Sequence, residues 1–461
     1  MNDAPSASHD IPNAPGSAPT ARSIVIERTA KRVTLFPDLP FDAVDTAGLD
    51  ARDSAFACAI DAQLTRRWLT LIAVIESQVD RPWTQIEPSL QAALLVGAAQ
   101  ILLFDRIPDH ASVDESVSWT KRVRGPRAGG FVNAVLRKVA GLKGEIVAPS
   151  GANFARPRDL LPLNDGRAWR LTQSIFSEDP TLRLAQVGSV GRDLLVHWIA
   201  AHGFRAAVEL ARHGLVDAPT LVTGVPSSLA ASPMLSQHDQ PGWYVFIGDH
   251  AELLGLLARH PSIRVQDPAS GDPVAATRQG KLAPKVVIDL CAGRGTKTVQ
   301  LAQTFPAATI VASDPDDARR RDLMHAATRH ANIQVITPDR IVDHFRTADL
   351  VVLDVPCSNT AVLPRRPQAS YRFSSRRLEQ LVEKQREIAH GAMPLLKPGG
   401  HVLYSTCSLE PAENTRQIEA MRKRHRLIAV AERQRFPSGV PGDPPARYTD
   451  GGFWALLAST T

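Results

Sequence analysis

The spacing of hydrophobic positions changes near residue 285, and that change divides the chain. Between about 50 and 142 they recur every three to four residues. Leu64, Trp68, Leu71, Ile72 and Ile75 form one stripe, and Leu90, Leu94, Leu95, Ala98 and Leu102 another. Helices are predicted there, interrupted at Pro82 and Pro88 and ended at Pro108, with two more over 113–123 and 128–139. A polar, Pro-containing linker follows (143–165). The segment 166–282 mixes a helical stretch (194–212) with strand-like pieces at 220–223 and 243–247, which predicts a small α+β region. From Lys285 the pattern becomes short apolar runs (286–290, 309–313, 333–336, 350–353, 401–405) alternating with helical segments such as 316–330 and 376–396. Such alternation predicts an α/β fold with a parallel, doubly wound sheet.

Four segments are expected: a disordered tail over 1–45, a helical bundle over 46–145, the linker and α+β region over 146–282, and the α/β domain over 283–461. The first twenty residues are rich in Pro, Ala and Ser, with no apolar core or basic start, so they do not read as a secretory leader. Hydrophobic residues make up 44% and charged residues 22% of the 461, the balance of a soluble globular protein. No apolar run approaches the ~18 residues of a membrane span, so no membrane partner is expected. The net charge of +6 leans toward an anionic partner such as nucleic acid. Four dispersed cysteines without a Cys-x-x-Cys pair argue against disulfides and bound metal, and for reduced thiols in the cytoplasm. A monomer is expected.

The run 286–290 leads into Cys291-Ala292-Gly293-Arg294-Gly295-Thr296-Lys297, where two glycines permit a tight turn and close approach to a ligand. The next strand ends in Asp314, placed to accept hydrogen bonds from both ribose hydroxyls of a nucleoside cofactor. The third glycine of a dinucleotide site is absent, and S-adenosylmethionine fits better than NAD. Singly, Asp289, Asp314, Asp339 and Asp354 read as caps or turn residues. At four successive strand ends, they line one crevice.

Two thiols sit at the same edge: Cys357 in Asp-Val-Pro-Cys-Ser-Asn-Thr (354–360) and Cys407 in Tyr-Ser-Thr-Cys-Ser (404–408). Carbon 5 of a pyrimidine is a weak nucleophile. Thiolate addition at carbon 6 makes it enamine-like and able to take a sulfonium methyl, after which loss of the carbon 5 hydrogen lets the sulfur leave. One cysteine suffices for attack and a second can aid release, while Asp354 can hold the pyrimidine edge. Cys58, on an apolar helical face, reads as a small buried hydrophobe, and Cys291 as packing beside the cofactor loop.

The chain resembles the Sun-type bacterial RNA cytosine-5 methyltransferases that modify 16S ribosomal RNA, within the wider Nop/Sun family. The likeness rests on VIDLCAGRGTKT, DLVVLDVPCSNTAVL, YSTCSLEPAEN, QDPAS (266–270) and DGGFWALL (450–457). GAAQILLFDRIPDHASVDESV and GGFVNAVLRK resemble the NusB-type RNA-binding domain of those enzymes. The resemblance implies a Rossmann-like methyltransferase domain after a NusB-like bundle, with small-subunit ribosomal RNA as partner. It implies Cys407 as nucleophile, Cys357 in product release, Cys291 to Lys297 around the methionine part of the cofactor and Asp314 on its ribose. Asp339 would lie by the adenine and Asp354 by the reaction centre. The family loop usually reads Ala-Pro-Gly-Gly-Lys, so Thr296 stands for a glycine here. Asn359 and Ala361 also replace usual glycines, and Leu221-Val222-Thr223 stands for Arg-Val-Asn. Arg365, Arg366 and Arg372 are candidates for phosphate contacts. Two alternatives stay open. A DNA cytosine-5 methyltransferase would attack with Cys357 and leave Cys407 without a role. A non-catalytic RNA-binding or assembly protein would explain the altered loop.

Overall fold

The computed structural model describes residues 19–105, 107–148, 154–280 and 282–460. The chain forms two compact units, one mainly of residues up to Val196 and the other mainly of residues from Val216 on.

The first unit is a helical bundle of α1 (Ala21–Leu35), α2 (Ala51–Arg66), α3 (Trp68–Glu76), α4 (Pro88–Leu103), α5 (Asp109–Arg124) and α6 (Pro126–Gly141). The run of small and apolar residues in α4 leaves no polar face, and Ala92 to Ala99 are buried without interruption, as befits a central helix. Helix α1 corrects the expected tail, of which only residues 1–18 lie outside the described residues. Thr20 and Ser23 cap it reciprocally, and Val25 and Ile26 are fully buried. The stripe from Leu64 to Ile75 is split at Arg67 into α2 and α3. Cys58, expected to be buried, is exposed: Ala57, Ile60 and Leu64 carry the buried stripe of α2, and Cys58 lies off it.

The expected linker contains strands. β1 (Lys143–Val147), β2 (Leu160–Pro162) and β3 (Ala168–Leu171) form an antiparallel sheet in the order β1-β3-β2. Then come α7 (Pro180–Gly188), α8 (Arg192–His202) and α9 (Phe204–His213). The predicted single helix over 194–212 is two, separated by Gly203 at φ +84°.

In the second unit, β4 (Leu221–Thr223), β5 (Leu235–Gln237), β6 (Trp243–Phe246) and β7 (Arg264–Val265) make a small antiparallel sheet in the order β5-β6-β4-β7, with α10 (His250–Arg259) between β6 and β7. Helix α11 (Pro268–Gln279) leads to the main sheet. Its strands are β8 (Val286–Asp289), β9 (Thr309–Ala312), β10 (Ile333–Val335), β11 (Ala348–Asp354), β12 (Leu396–Thr406), β13 (Leu427–Arg435) and β14 (Gly452–Ser459). Its helices are α12 (Thr296–Thr304), α13 (Asp317–Ala327), α15 (Ser375–Ala392) and α16 (Thr415–His425), while Ser370–Arg372 of the short α14 (Gln368–Arg372) belong to the first unit. The strand order is β10-β9-β8-β11-β12-β14-β13, parallel through β12. The expected all-parallel sheet is extended by β14, antiparallel to both β12 and β13.

Alternate residues of the central strands point to opposite faces, and both faces are covered. Ile288, Val351, Leu353, Val402 and Tyr404 pack with Ala389 of α15 and Ile418 of α16, whereas Val287, Ile310, Leu350, Val352 and Leu403 pack with Val274 of α11 and Leu301 of α12. Each fully buried aliphatic side chain contributes roughly 2 kcal/mol. The strand ends beyond this core are thereby held in fixed register.

Candidate active site

β8 and β11 are neighbours at the point where the strand order reverses, and there an open α/β sheet leaves a crevice at its carboxyl edge. The loop after β8 turns through Gly293 (φ +56°) and Gly295 (φ +94°), both left-handed. A Cβ at Gly295 would meet Leu323 Cδ1 at 2.8 Å, whereas one at Gly293 would meet nothing within 4 Å. Asp314 holds this turn in place: one carboxylate oxygen accepts from Gly293 N (2.9 Å) and the other from Asp316 N (3.0 Å). Thr296, standing for the family's glycine, is the exposed first residue of α12 and outside the left-handed region. Its replacement therefore falls where the backbone does not call for glycine. Arg294 is 79% exposed and faces Asp322 at 3.3 Å.

Below the loop, Asp289 is buried and accepts from Thr298 Oγ1 (2.8 Å), while its Oδ1 has no hydrogen-bond partner among the described residues. Burial pushes its carboxyl up to about 7. Lys297 donates to Asp354 Oδ2 (2.6 Å), and Ser405 Oγ donates to Asp354 Oδ1 (2.7 Å). Burial alone would lower the Lys297 ammonium, but the facing Asp354 carboxylate outweighs it and the net shift is upward. This pairing joins the helix after β8 to the ends of β11 and β12.

The two thiols meet just beyond it. Cys357 Sγ and Cys407 Sγ are 3.0 Å apart, and the Cys407 amide donates to Cys357 Sγ at 3.3 Å. The contact with Cys407, and then burial, push the Cys357 thiol well above its usual range. Buried Glu413 organises the Cys357 loop by accepting from Ser358 N (3.0 Å), from the Ser358 hydroxyl and from Gln385 Nε2 (2.9 Å). Asn359 touches both cysteine segments, donating to Cys357 O (2.9 Å) and accepting from Cys407 Sγ (3.1 Å).

A cavity of about 470 Å³, within the usual range for small-molecule sites, is lined by Cys291, Gly293, Lys297, Asp354, Asn359 and Cys407, among others. Ala292, Arg294 and Thr296 also reach its wall. Cys357, Asp314 and Asp339 do not. Asp339 is exposed in the turn over 338–344, where the Thr337 hydroxyl holds its carboxyl below the ordinary value. Arg365, a candidate for phosphate, is already engaged: its Nε donates to Asp450 Oδ2 (2.7 Å), and Asp267 lies 3.6 Å from its NH2. It thus ties the start of α11 to the segment before β14. Arg372 donates to Leu39 O (3.2 Å) and lies over Phe41, while Arg366 lines the cavity. Ser405 and Glu413, unassigned from sequence, sit inside motifs already singled out. Asn359 was noticed only as a replaced glycine.

The residues present fit S-adenosylmethionine. A glycine turn leaves room for a ligand, and a buried carboxylate oxygen without a hydrogen-bond partner among the described residues underlies it.

Residues 281–456 match the family model described as 16S rRNA methyltransferase RsmB/F, and residues 27–141 match the NusB family. The chain belongs to the RsmB/F methyltransferase family. It is 27% identical over 424 residues to ribosomal RNA small subunit methyltransferase B of Vibrio cholerae, covering 88% of this chain and 90% of that one. To Rv1407 of Mycobacterium tuberculosis, classed among the methyltransferases, it is 30% identical over 417 residues (86% and 84%). The crystal structure of PH0851 shares the fold, with a TM-score of 0.66 at 20% identity over 95% of this chain and 98% of that one. Among the described residues no helix is long and apolar enough to cross a membrane, and no group of three or more His, Cys, Asp or Glu could hold a metal ion.

Proposed function

We propose that this protein methylates carbon 5 of a cytosine in small-subunit ribosomal RNA through a covalent bond from Cys407 to the base. The observation that carries the reading is the pair of thiols 3.0 Å apart beside the Lys297–Asp354 pair. Cys407, once its thiol has lost its proton, adds to carbon 6 as the thiolate, and the carbon 5–carbon 6 π bond opens to raise the electron density at carbon 5. Asp354 holds the pyrimidine edge, with Lys297 and Ser405 fixing both its oxygens. The Cys291–Lys297 loop would hold S-adenosylmethionine, with Asp314 toward its ribose and Asp339 toward its adenine, and the bound cofactor would supply an electrophilic methyl group for carbon 5. Cys357 aids release: once the carbon 5 hydrogen has gone to a base, the carbon–sulfur bond breaks and Cys407 recovers its electron pair. The position of Cys407 on the cavity wall, with Cys357 beside it but off the wall, favours this division of labour over its reverse. Substrate class is supported by the names of the family model and of the Vibrio relative.

Incubation with methyl-labelled S-adenosylmethionine and either small-subunit rRNA or DNA tests the reading. Label is expected in 5-methylcytidine of the RNA. Label in DNA, in another nucleoside, or absence of cofactor binding would overturn it.

A further inference from the structure

Asn359 lies in the left-handed region at φ +60°, one of four non-glycine residues there among those described. Asn is among the side chains that tolerate this conformation, so a turn alone accounts for its backbone. It does not account for the side chain. The Cys357 carbonyl can only accept, so the Nδ2 end of the amide must face it, at 2.9 Å. That fixes Oδ1 toward Cys407 Sγ at 3.1 Å, where only the thiol can supply the proton. Asn359 also lines the cavity, and its two bonds join segments 48 residues apart. The other charged or titratable groups around Cys407 are Lys297, Asp354 and Cys357, with Glu413 behind Cys357. Of these, Cys357 is also a neutral group within reach of the Cys407 thiol and is held by the Cys407 amide, but only Asn359 presents an amide oxygen to that thiol from the cavity wall itself.

We propose that Asn359 is a positioning residue for the nucleophile, accepting a hydrogen bond from the Cys407 thiol that keeps that side chain fixed until substrate displaces the bond. This rests on the assignment of Cys407 as nucleophile, but the bond can be tested without methyl transfer. Gly suits φ +60° at least as well as Asn, so Asn359→Gly removes the amide without straining the turn. Asn359→Asp keeps an acceptor beside the thiol. The readout is the rate of Cys407 alkylation by iodoacetamide in the full-length protein between pH 6 and 9, followed by peptide mass spectrometry.

Asn359→Gly is expected to speed Cys407 alkylation at pH 7 by about fivefold, the worth of one neutral hydrogen bond. Asn359→Asp is expected to be no faster than wild type. An unchanged rate in Asn359→Gly, or equal acceleration in both variants, would overturn the proposal. Failure of wild type to methylate RNA would sink the proposed function and leave this result to be read independently.

Discussion

The two walls of the cavity are made in different ways. The cofactor wall is largely a backbone device: two left-handed glycines, a carboxylate accepting main-chain N–H groups, and a helix start. The thiol wall, formed by Asn359 and Cys407, is backed by a network of side chains in which Asn359, Ser358, Glu413, Gln385 and Tyr404 each touch the next or the cysteines. A backbone device tolerates exchange of the side chains it points outward, which accommodates Arg294 and Thr296. A buried network tolerates little, since each lost partner leaves another group unsatisfied.

The largest effect on the cofactor wall is expected from Gly295→Ala. The left-handed backbone alone costs about 1–3 kcal/mol, and the new Cβ must displace Leu323. Cofactor affinity measured by calorimetry should fall at least tenfold. Normal affinity would mean that the loop is not shaped as described.

Glu413→Ala tests the other wall. It strands Ser358 N and leaves Gln385 Nε2 with only the Pro356 carbonyl, and should cost about 2–3 kcal/mol in urea unfolding, since bonds to a carboxylate are the stronger kind. Cofactor affinity should change far less than stability. Equal losses would erase the contrast between the walls.

A smaller effect concerns pH. Asp289 holds its proton up to about 7 in the fold, whereas an unfolded aspartate releases it near 3.9. The native state therefore binds more protons in that window, and stability falls as pH rises from about 4 to about 7. Asp289→Asn should flatten this slope in the cofactor-free protein. Part of the slope should remain, because Asp267 and Glu410 are also pushed up to about 7. An unchanged slope would contradict the assignment of a buried, protonated Asp289.

The smallest effect is expected for Arg294→Ala. Its side chain is exposed and its ion pair with Asp322 is a surface contact, so stability should move by less than about 1 kcal/mol and cofactor affinity by less than about fivefold. A larger loss of affinity would show that the outward side chains of the loop matter after all.

What could be read from sequence follows burial. β8, β9, β11 and β12 announce themselves because both faces of the sheet are covered and their apolar runs are continuous. β13 gives no such signal: as an edge strand it exposes Ile428 and Val430, and no element is predicted there. Helix α1 was hidden by the composition of the segment before it, although Thr20 and Ser23 carry a capping signal. The cysteines, Asp354 and the glycine turn were legible as motifs. The joining of Asn359 to Cys407, and of Arg365 to Asp450 and Asp267, was not, because it depends on which loops the sheet order brings side by side.

The most direct test of the account is trapping of the enzyme on its RNA. Wild type, Cys357→Ala and Cys407→Ala are incubated with S-adenosylmethionine and small-subunit rRNA, and covalent protein–RNA complexes are resolved on denaturing gels. Cys357→Ala is predicted to accumulate the adduct and Cys407→Ala to form none. An adduct with Cys407→Ala, and none with Cys357→Ala, would contradict the roles assigned to the two thiols.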